Sequence, residues 1–150
     1  MISTSTAIKH LAGQGGNPVK MTIAADALAA AGLVPTDDRQ PLNAEQAVAL
    51  LLGCCSPIPE DAAQFALERG ALHCDNVSLR SVMVGCLSDA SNPPAAVHVL
   101  HQQPHVVIHP VTSEDPAEFG SAFSCGGFRT ETVISGGLLS LMAMKLKDRS

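Results

Sequence analysis

Residues 43–54 read NAEQAVALLLGC, and this stretch decides how the first half of the chain is organised. Asn43 stands where a helix N-cap is expected, and Gln46 three residues later completes the spacing of a capping box. The apolar residues that follow cover most sides of a helix; they are Ala44, Ala47, Val48, Leu50, Leu51 and Leu52. Because such a helix offers little polar surface to water, the pattern predicts a central, buried helix.

Two further helices are predicted upstream, and they complete a trihelical unit over residues 1–56. Residues 3–12 carry apolar side chains on one face, and the glycine-rich stretch that follows ends this helix. Asn17-Pro18 then supplies an N-cap and a proline at the first position of the second helix. Gly32 suits the left-handed residue after a helix, and Pro35 prevents its continuation.

Downstream of this unit, the helical pattern continues and then changes to that of strands. Residues 57–70 and 77–87 predict two more helices. The β-branched runs at residues 97–101 and 105–109 flank Gln102-Gln103-Pro104, and this arrangement predicts a hairpin.

The last part of the chain completes the predicted fold. We expect an irregular loop over residues 113–127, a partly exposed strand over residues 128–134 and a closing helix over residues 138–146. The fold class is therefore α+β, with an N-terminal helical bundle followed by a small antiparallel sheet and a C-terminal helix. Residues 57–150 form the α+β part, for oligomerisation or partner binding, and pack with residues 1–56 as one globular chain.

Composition and charge exclude several classes of protein. Aromatic residues make up 3% of the 150 residues, with no Trp or Tyr, which disfavours modules that stack bases on aromatic platforms. The net charge of −5 is uneven, at +1 over residues 1–35, −8 over residues 36–135 and +2 over the last fifteen. This balance excludes a strongly basic nucleic-acid binder but leaves local phosphate contacts at either end.

The compartment is inferred from the cysteines and the apolar runs. The five cysteines are odd in number and include the adjacent pair Cys54 and Cys55, which favours reduced, mostly buried thiols. Residues 1–20 lack the apolar core of a signal peptide, and the longest apolar stretch is too short to cross a membrane. We therefore expect a cytoplasmic protein without membrane contact.

A series of histidines is the most visible candidate for metal chemistry. On a continuous helix His101, His105 and His109 would share a face, but Pro104 and the neighbouring valines oppose a helix. On strands His98 faces opposite to His101, while His105 and His109 share a face. His73-Cys74 is the nearest pair that could complete a tetrahedral site, and neither HExxH nor CxxC spacing occurs. The prediction is no metal and no cofactor, with a zinc protein as a minor alternative.

Catalytic motifs are equally weak. Gly13-Gln14-Gly15-Gly16 lacks the preceding strand and the third glycine of a dinucleotide fingerprint, and the P-loop lysine–serine pair is missing. Ser124-Cys125-Gly126-Gly127 lacks the GxSxG spacing of a nucleophile elbow. The paired carboxylates, such as Asp37-Asp38, stand at predicted loops or helix starts, where solvated caps are usual. We therefore predict that the protein is not an enzyme.

The trihelical unit is the remaining functional signal, because DNA-binding helix-turn-helix domains use this arrangement. The N-terminal end of the second helix would enter the major groove and present Asn17, Lys20 and Thr22. Lys9 and Arg39 would reach the phosphates. The alternative is an ordinary three-helix bundle.

The same residues carry a resemblance. A group of uncharacterised bacteriophage and prophage proteins with a helix-turn-helix-like N-terminal segment is similar to this chain over the succession Ala7-Ile8, Gly15-Gly16-Asn17-Pro18, residues 27–35 (ALAAAGLVP) and residues 42–52 (LNAEQAVALLL). Residues 129–136 and 138–141 are similar to their late strand and final helix. The resemblance implies a phage-type regulatory role.

These observations lead to one main hypothesis and two alternatives. The main hypothesis is a phage- or prophage-type transcription regulator that binds double-stranded DNA and forms a homodimer or higher homo-oligomer. Apolar edge strands near Val97–Val99 and Val106–Ile108 would favour self-association. The alternatives are an acidic protein–protein interaction module, such as a phage accessory protein or an inhibitor of a host protein, and a small terminase-like packaging subunit.

Overall fold

A computed structural model describes residues 1–89, 92–120 and 130–147. The fold is α+β, with helices first, then a small antiparallel sheet and a final helix, as the sequence predicts. None of the described helices combines the length and hydropathy that a membrane span requires.

The first three helices follow the local signals closely. Helix α1 spans Thr4–Gly13, α2 Pro18–Ala30 and α3 Ala44–Cys54. The capping box of α3 is complete, because Asn43 Oδ1 accepts from the Gln46 amide at 2.8 Å and Gln46 Oε1 accepts from the Asn43 amide at 3.0 Å.

Helix α2 ends in a Schellman motif at Gly32. Gly32 has φ +76°, and its N–H donates to the Ala29 carbonyl at 3.0 Å. The Leu33 N–H reaches back to the Leu28 carbonyl at 2.9 Å. These two hydrogen bonds satisfy carbonyls that the helix end would otherwise leave open, which is why glycine terminates α2 here.

The next two predicted helices are shorter than expected. The first begins as a 3₁₀ turn over Pro59–Asp61 and becomes α-helical only in α4, Ala62–Gly70. The second predicted helix loses its first two residues to a strand. Strands β1, His73–Cys74, and β2, Val77–Ser78, form a small hairpin before α5, Leu79–Ser88.

The main sheet contains β3 (Ala96–Leu100), β4 (His105–His109), β5 (Ala117–Gly120) and β6 (Glu131–Ser135) in the order β5-β4-β3-β6. Each neighbouring pair is antiparallel, and the predicted β3–β4 hairpin is confirmed.

The sheet corrects two predictions. The expected loop over residues 113–127 contains β5, and β5 forms because it pairs with β4 through Phe119 opposite Val106. Val97–Val99 and Val106–Ile108 are not edge strands, because β3 and β4 are each paired on both sides. The predicted strand over residues 128–134 is confirmed from residue 131, and its first two residues lie outside the described part of the chain.

The hydrophobic core is shared by the helices and the inner face of the sheet. Fully buried side chains come from both sides of the residue 56–57 boundary and include Leu28, Leu50, Leu52, Leu79, Met83, Val97, Val106 and Met142. Helix α6, Gly136–Lys147, follows β6 directly and packs against α5. The trihelical unit therefore packs on the rest of the chain through a common core.

A buried arginine joins α4 to the end of β3. Arg69 is 6% exposed, and its Nη2 donates to the His101 carbonyl at 3.1 Å. Nε and Nη2 also approach the Leu100 carbonyl at 3.4 and 3.3 Å, and the guanidinium lies 4.2 Å from the Phe65 ring centroid. Burial lowers the pKa of Arg69 from its usual value, although the residue stays charged. Its donors satisfy carbonyls at the point where the strand ends.

Candidate nucleic-acid interface

The connection between α1 and α2 is a four-residue turn, Gln14–Asn17. Gly15 adopts φ +106°, which is open to glycine and strained for other residues. Gly16 lies under Met21, since a Cβ atom on Gly16 would fall 1.9 Å from Met21 Cε. The two glycines therefore set the tight approach of α2 to the end of α1.

Asn17 positions the first turn of α2. Its Oδ1 accepts from the Val19 amide at 3.0 Å and from the Lys20 amide at 3.2 Å, so the predicted N-cap is confirmed. Thr22 Oγ1 donates to the Pro18 carbonyl at 2.8 Å. Both polar side chains thus support the helix start, and Asn17 keeps its amide nitrogen as a donor for a ligand.

The first turn of α2 is exposed and carries no acidic residue. Val19 is 68% exposed, and Lys20 and Thr22 are also exposed. The partial positive charge of a helix N-terminus and the Lys20 ammonium group make this end of α2 attractive to an anion.

Lys9 and Thr22 line a common groove of about 520 Å³ between α1, α2 and the loop at residues 35–38. The structure therefore brings a helix α1 candidate and a helix α2 candidate together. Two carboxylates, Asp26 and Asp38, line the same groove. The sequence reasoning missed Asp26, although it lies one helical turn after Thr22 and so shares its face, and it interpreted Asp38 only as a solvated loop residue.

The two acids of the loop have defined partners. Asp38 accepts hydrogen bonds from the amide and the hydroxyl of Ser5, so it binds the first turn of α1. Asp37 accepts from Arg39 Nη2 at 3.0 Å and from the Arg39 amide at 2.9 Å. The Arg39 side chain and then its amide hold the pKa of Asp37 below its usual value.

The five candidate residues are consequently not equivalent. Lys20 is exposed at the helix start, whereas Lys9 lines a groove that also contains two carboxylates. The Arg39 guanidinium is engaged by Asp37 in a pair that is open to solvent. Phosphate groups would meet the least repulsion at the α2 N-terminus and the most at the opposite end of the groove.

The histidines belong to the sheet and its end. His98 Nδ1 lies 3.0 Å from Glu131 Oε1, and the His98 and His109 rings are 4.5 Å apart between centroids. His105 Nε2 lies 3.3 Å from Glu118 Oε1. The described residues contain no group of three or more His, Cys, Asp or Glu side chains placed to hold a metal ion.

His101 differs from the other three in position and environment. It follows β3, and its Nε2 is 2.5 Å from Thr132 Oγ1. Burial and the nearby Arg69 charge lower its pKa from the usual value. This lowering favours the neutral form of the ring.

The adjacent thiols of Cys54 and Cys55 lie at the end of α3 and are shielded from water. Burial raises the pKa of Cys54 to about 12 and that of Cys55 further. Both are therefore protonated at neutral pH and poor nucleophiles. The Ser124-Cys125-Gly126-Gly127 candidate lies outside the described residues.

Comparisons with known proteins found no matching family model, no matching curated protein and no matching solved structure.

Proposed function

We propose that this protein is a non-enzymatic transcription regulator of the bacteriophage type that binds double-stranded DNA through α1, the Gln14–Asn17 turn and α2. The observation that carries the proposal is the exposed first turn of α2, which has no acid and presents Lys20 after a short, glycine-containing turn. Helix-turn-helix proteins use such a helix start to read the major groove.

The candidate residues take different roles in this proposal. Lys20 and the amide nitrogen of Asn17 contact phosphate, because both stand at the helix N-terminus. Thr22 offers its methyl group and hydroxyl oxygen to base edges. Lys9 adds a phosphate contact from α1, and Arg39 adds one only by leaving Asp37.

The test is the salt dependence of binding to a fluorescently labelled duplex of mixed sequence, measured by anisotropy. The variant Lys9→Ala/Lys20→Ala removes the two proposed phosphate contacts. The matched control Lys145→Ala/Lys147→Ala removes the same charge from the last turn of α6. Both variants have the same net charge, so a difference between them reports position rather than total charge.

The expected effect follows from counterion release. Each phosphate contact contributes about 0.9 to the slope of log K against log salt, so two contacts change affinity about 12-fold between roughly 50 and 200 mM salt. The Lys9→Ala/Lys20→Ala variant should lose about two units of slope, and the α6 control should retain it. Equal slopes for the two variants, or no binding by the wild type at low salt, would refute the proposal.

The groove also supports a second candidate, a module that binds a basic protein segment. Asp26 and Asp38 outnumber Lys9 there, and Ile8, Ala25 and other apolar residues also line the groove. Asp26→Asn separates the two candidates because its expected effects have opposite signs. It strengthens DNA binding by removing a repulsive charge, and it weakens binding of an oligolysine peptide by removing an attractive one.

A further inference from the structure

The two edges of the main sheet are covered differently. The outer side of β5 lies beside β1, and Leu72 approaches Gly120 at the end of β5. In contrast, β6 has its substantial contacts with β3 and with α6, among the elements that the structure describes. Among the described residues no strand pairs with the edge of β6 that faces away from β3, so this edge can accept another strand.

The backbone register identifies which groups β6 presents at this edge. The His101 amide donates to the Thr130 carbonyl at 3.0 Å, and the Gly136 amide donates to the Ala95 carbonyl at 2.8 Å. In an antiparallel ladder, such bonds lie on either side of a residue pair whose own backbone groups do not bond to each other. Leu100–Glu131 and Ala96–Ser135 are therefore pairs of this kind. Thr132 and Ile134 consequently bond to β3, while the N–H and C=O of Val133 point outward.

Glu131 is the one charged residue of β6, so the sequence carries little of the usual protection against pairing. Proteins blunt an edge strand with lysine, proline, a bulge or a covering element. Residues 131–135 read ETVIS, with three consecutive β-branched residues and neither lysine nor proline. Glu131 is bound to His98 on the sheet face, and Val133 is 51% exposed at the centre of the strand.

We propose that a second copy of this chain pairs with this edge, so that β6 lies antiparallel to the β6 strand of its partner about a two-fold axis at Val133. Val133 then exchanges both backbone hydrogen bonds with the partner's Val133. Glu131 stands opposite the partner's Ser135, so the register brings no like charges together. The two sheets become continuous across the axis, and the exposed valines are buried against each other.

A second copy fits this edge because the strand is complementary to itself. In an isologous contact the same surface patch of both copies must be complementary to itself. The strand ETVIS meets this condition, because Val133 lies on the axis and Glu131 stands opposite a serine. The pairing also closes after two chains, since each copy uses its β6 edge once. The proposal does not depend on DNA binding, and its test contains no DNA.

The first experiment measures the solution mass of the whole chain by sedimentation equilibrium over a roughly hundredfold range of concentration. The wild type should move from monomer to dimer. Val133→Lys places two ammonium groups together at the axis and should give a monomer at every concentration. Val111→Lys is the matched control, because Val111 is 74% exposed and lies outside the sheet, and it should dimerise like the wild type.

The second measurement is amide hydrogen exchange along β6, which stays informative if Val133→Lys folds poorly. Thr132 and Ile134 should be protected at all concentrations by β3. Val133 should exchange quickly in dilute protein and gain at least tenfold protection as the dimer forms. A wild-type monomer throughout the range, a larger closed assembly, a dimer that survives Val133→Lys, or fast Val133 exchange in the dimer would each overturn the proposal.

Discussion

Replacing Arg69 with methionine removes the charged link between α4 and the end of β3 while keeping a long side chain in the buried site. The Arg69 side chain is 7% exposed, so water cannot readily replace its hydrogen bonds. The carbonyls of Leu100 and His101 lose their guanidinium donor. Methionine fills the space next to Phe65 but donates nothing.

The size of the effect follows from the contact lengths. The bond to the His101 carbonyl, at 3.1 Å, is of normal length, and a bond from a charged donor contributes about 1.5–3 kcal/mol. The contacts with the Leu100 carbonyl, at 3.3 and 3.4 Å, are long and count for less. The Phe65 ring adds about 1 kcal/mol. Because removing a buried charge also removes its desolvation cost, we expect a net loss of about 2–3 kcal/mol in the free energy of unfolding.

The assay is urea unfolding followed by circular dichroism, with thermal unfolding as a second measurement. A loss of this size lowers the midpoint temperature by about 7 °C in a chain of this length. The matched control is Arg80→Met, because Arg80 is 55% exposed and pairs with Glu45 at 3.0 Å. That exposed pair should contribute less than about 1 kcal/mol. Equal losses in the two variants would refute the reasoning that burial gives Arg69 its effect.

Two further predictions test packing and pH dependence. Gly53→Ala should destabilise the protein by about 1 kcal/mol, as measured by urea unfolding. The new Cβ would lie 2.7 Å from Cδ1 of the fully buried Leu28, and the cost of this overpacking exceeds the gain in helix propensity. Gly85→Ala, in an exposed position of α5 with no atom within 4 Å of the new Cβ, should stabilise it by about 1 kcal/mol, and the opposite result for either variant contradicts this account. His101 has a lowered pKa in the folded state, so the unfolded chain binds its proton first and stability falls as the pH drops below about 6.5. Replacing His101 with Gln should flatten this decline in unfolding measurements at several pH values, and an unchanged slope would show that burial beside Arg69 does not control the titration.

Local sequence signals predicted the ends of the helices well. Asn17 and Asn43 cap the helices that follow them, and Gly32 takes the left-handed conformation that ends α2. A cap or a C-terminal glycine acts on backbone groups within four residues of itself, so its effect is contained in a short stretch of sequence. The β3–β4 hairpin was predictable for the same reason.

Strand pairing between distant segments was harder to predict from the sequence. Strand β5 has only four residues, too few for a period to stand out in the sequence, and it is a strand because β4 supplies its hydrogen-bonding partner. Strand β1 has two residues, and Asp75 with φ +55° turns the chain into β2. Short strands of this kind carry little periodicity, so their existence depends on their neighbours.

The candidate interface also combines features that the local sequence predicts with features that depend on distant contacts. The N-cap at Asn17 followed from the local sequence, but the contact between Asp38 and Ser5 joins residues 33 positions apart. That contact holds the loop whose Asp38 lines the same groove as Lys9, and the sequence does not show that these charges share one groove.

The sequence by itself determined the α+β class, the helix caps and the central hairpin, because these depend on local periodicity and on hydrogen bonds between near neighbours. The tertiary structure decided the strand order, the burial of Arg69 and the position of β6 at the end of the described sheet. Each of these depends on which distant segment supplies the missing hydrogen-bond partner or excludes water, and the hydrophobic pattern of a strand does not specify that segment.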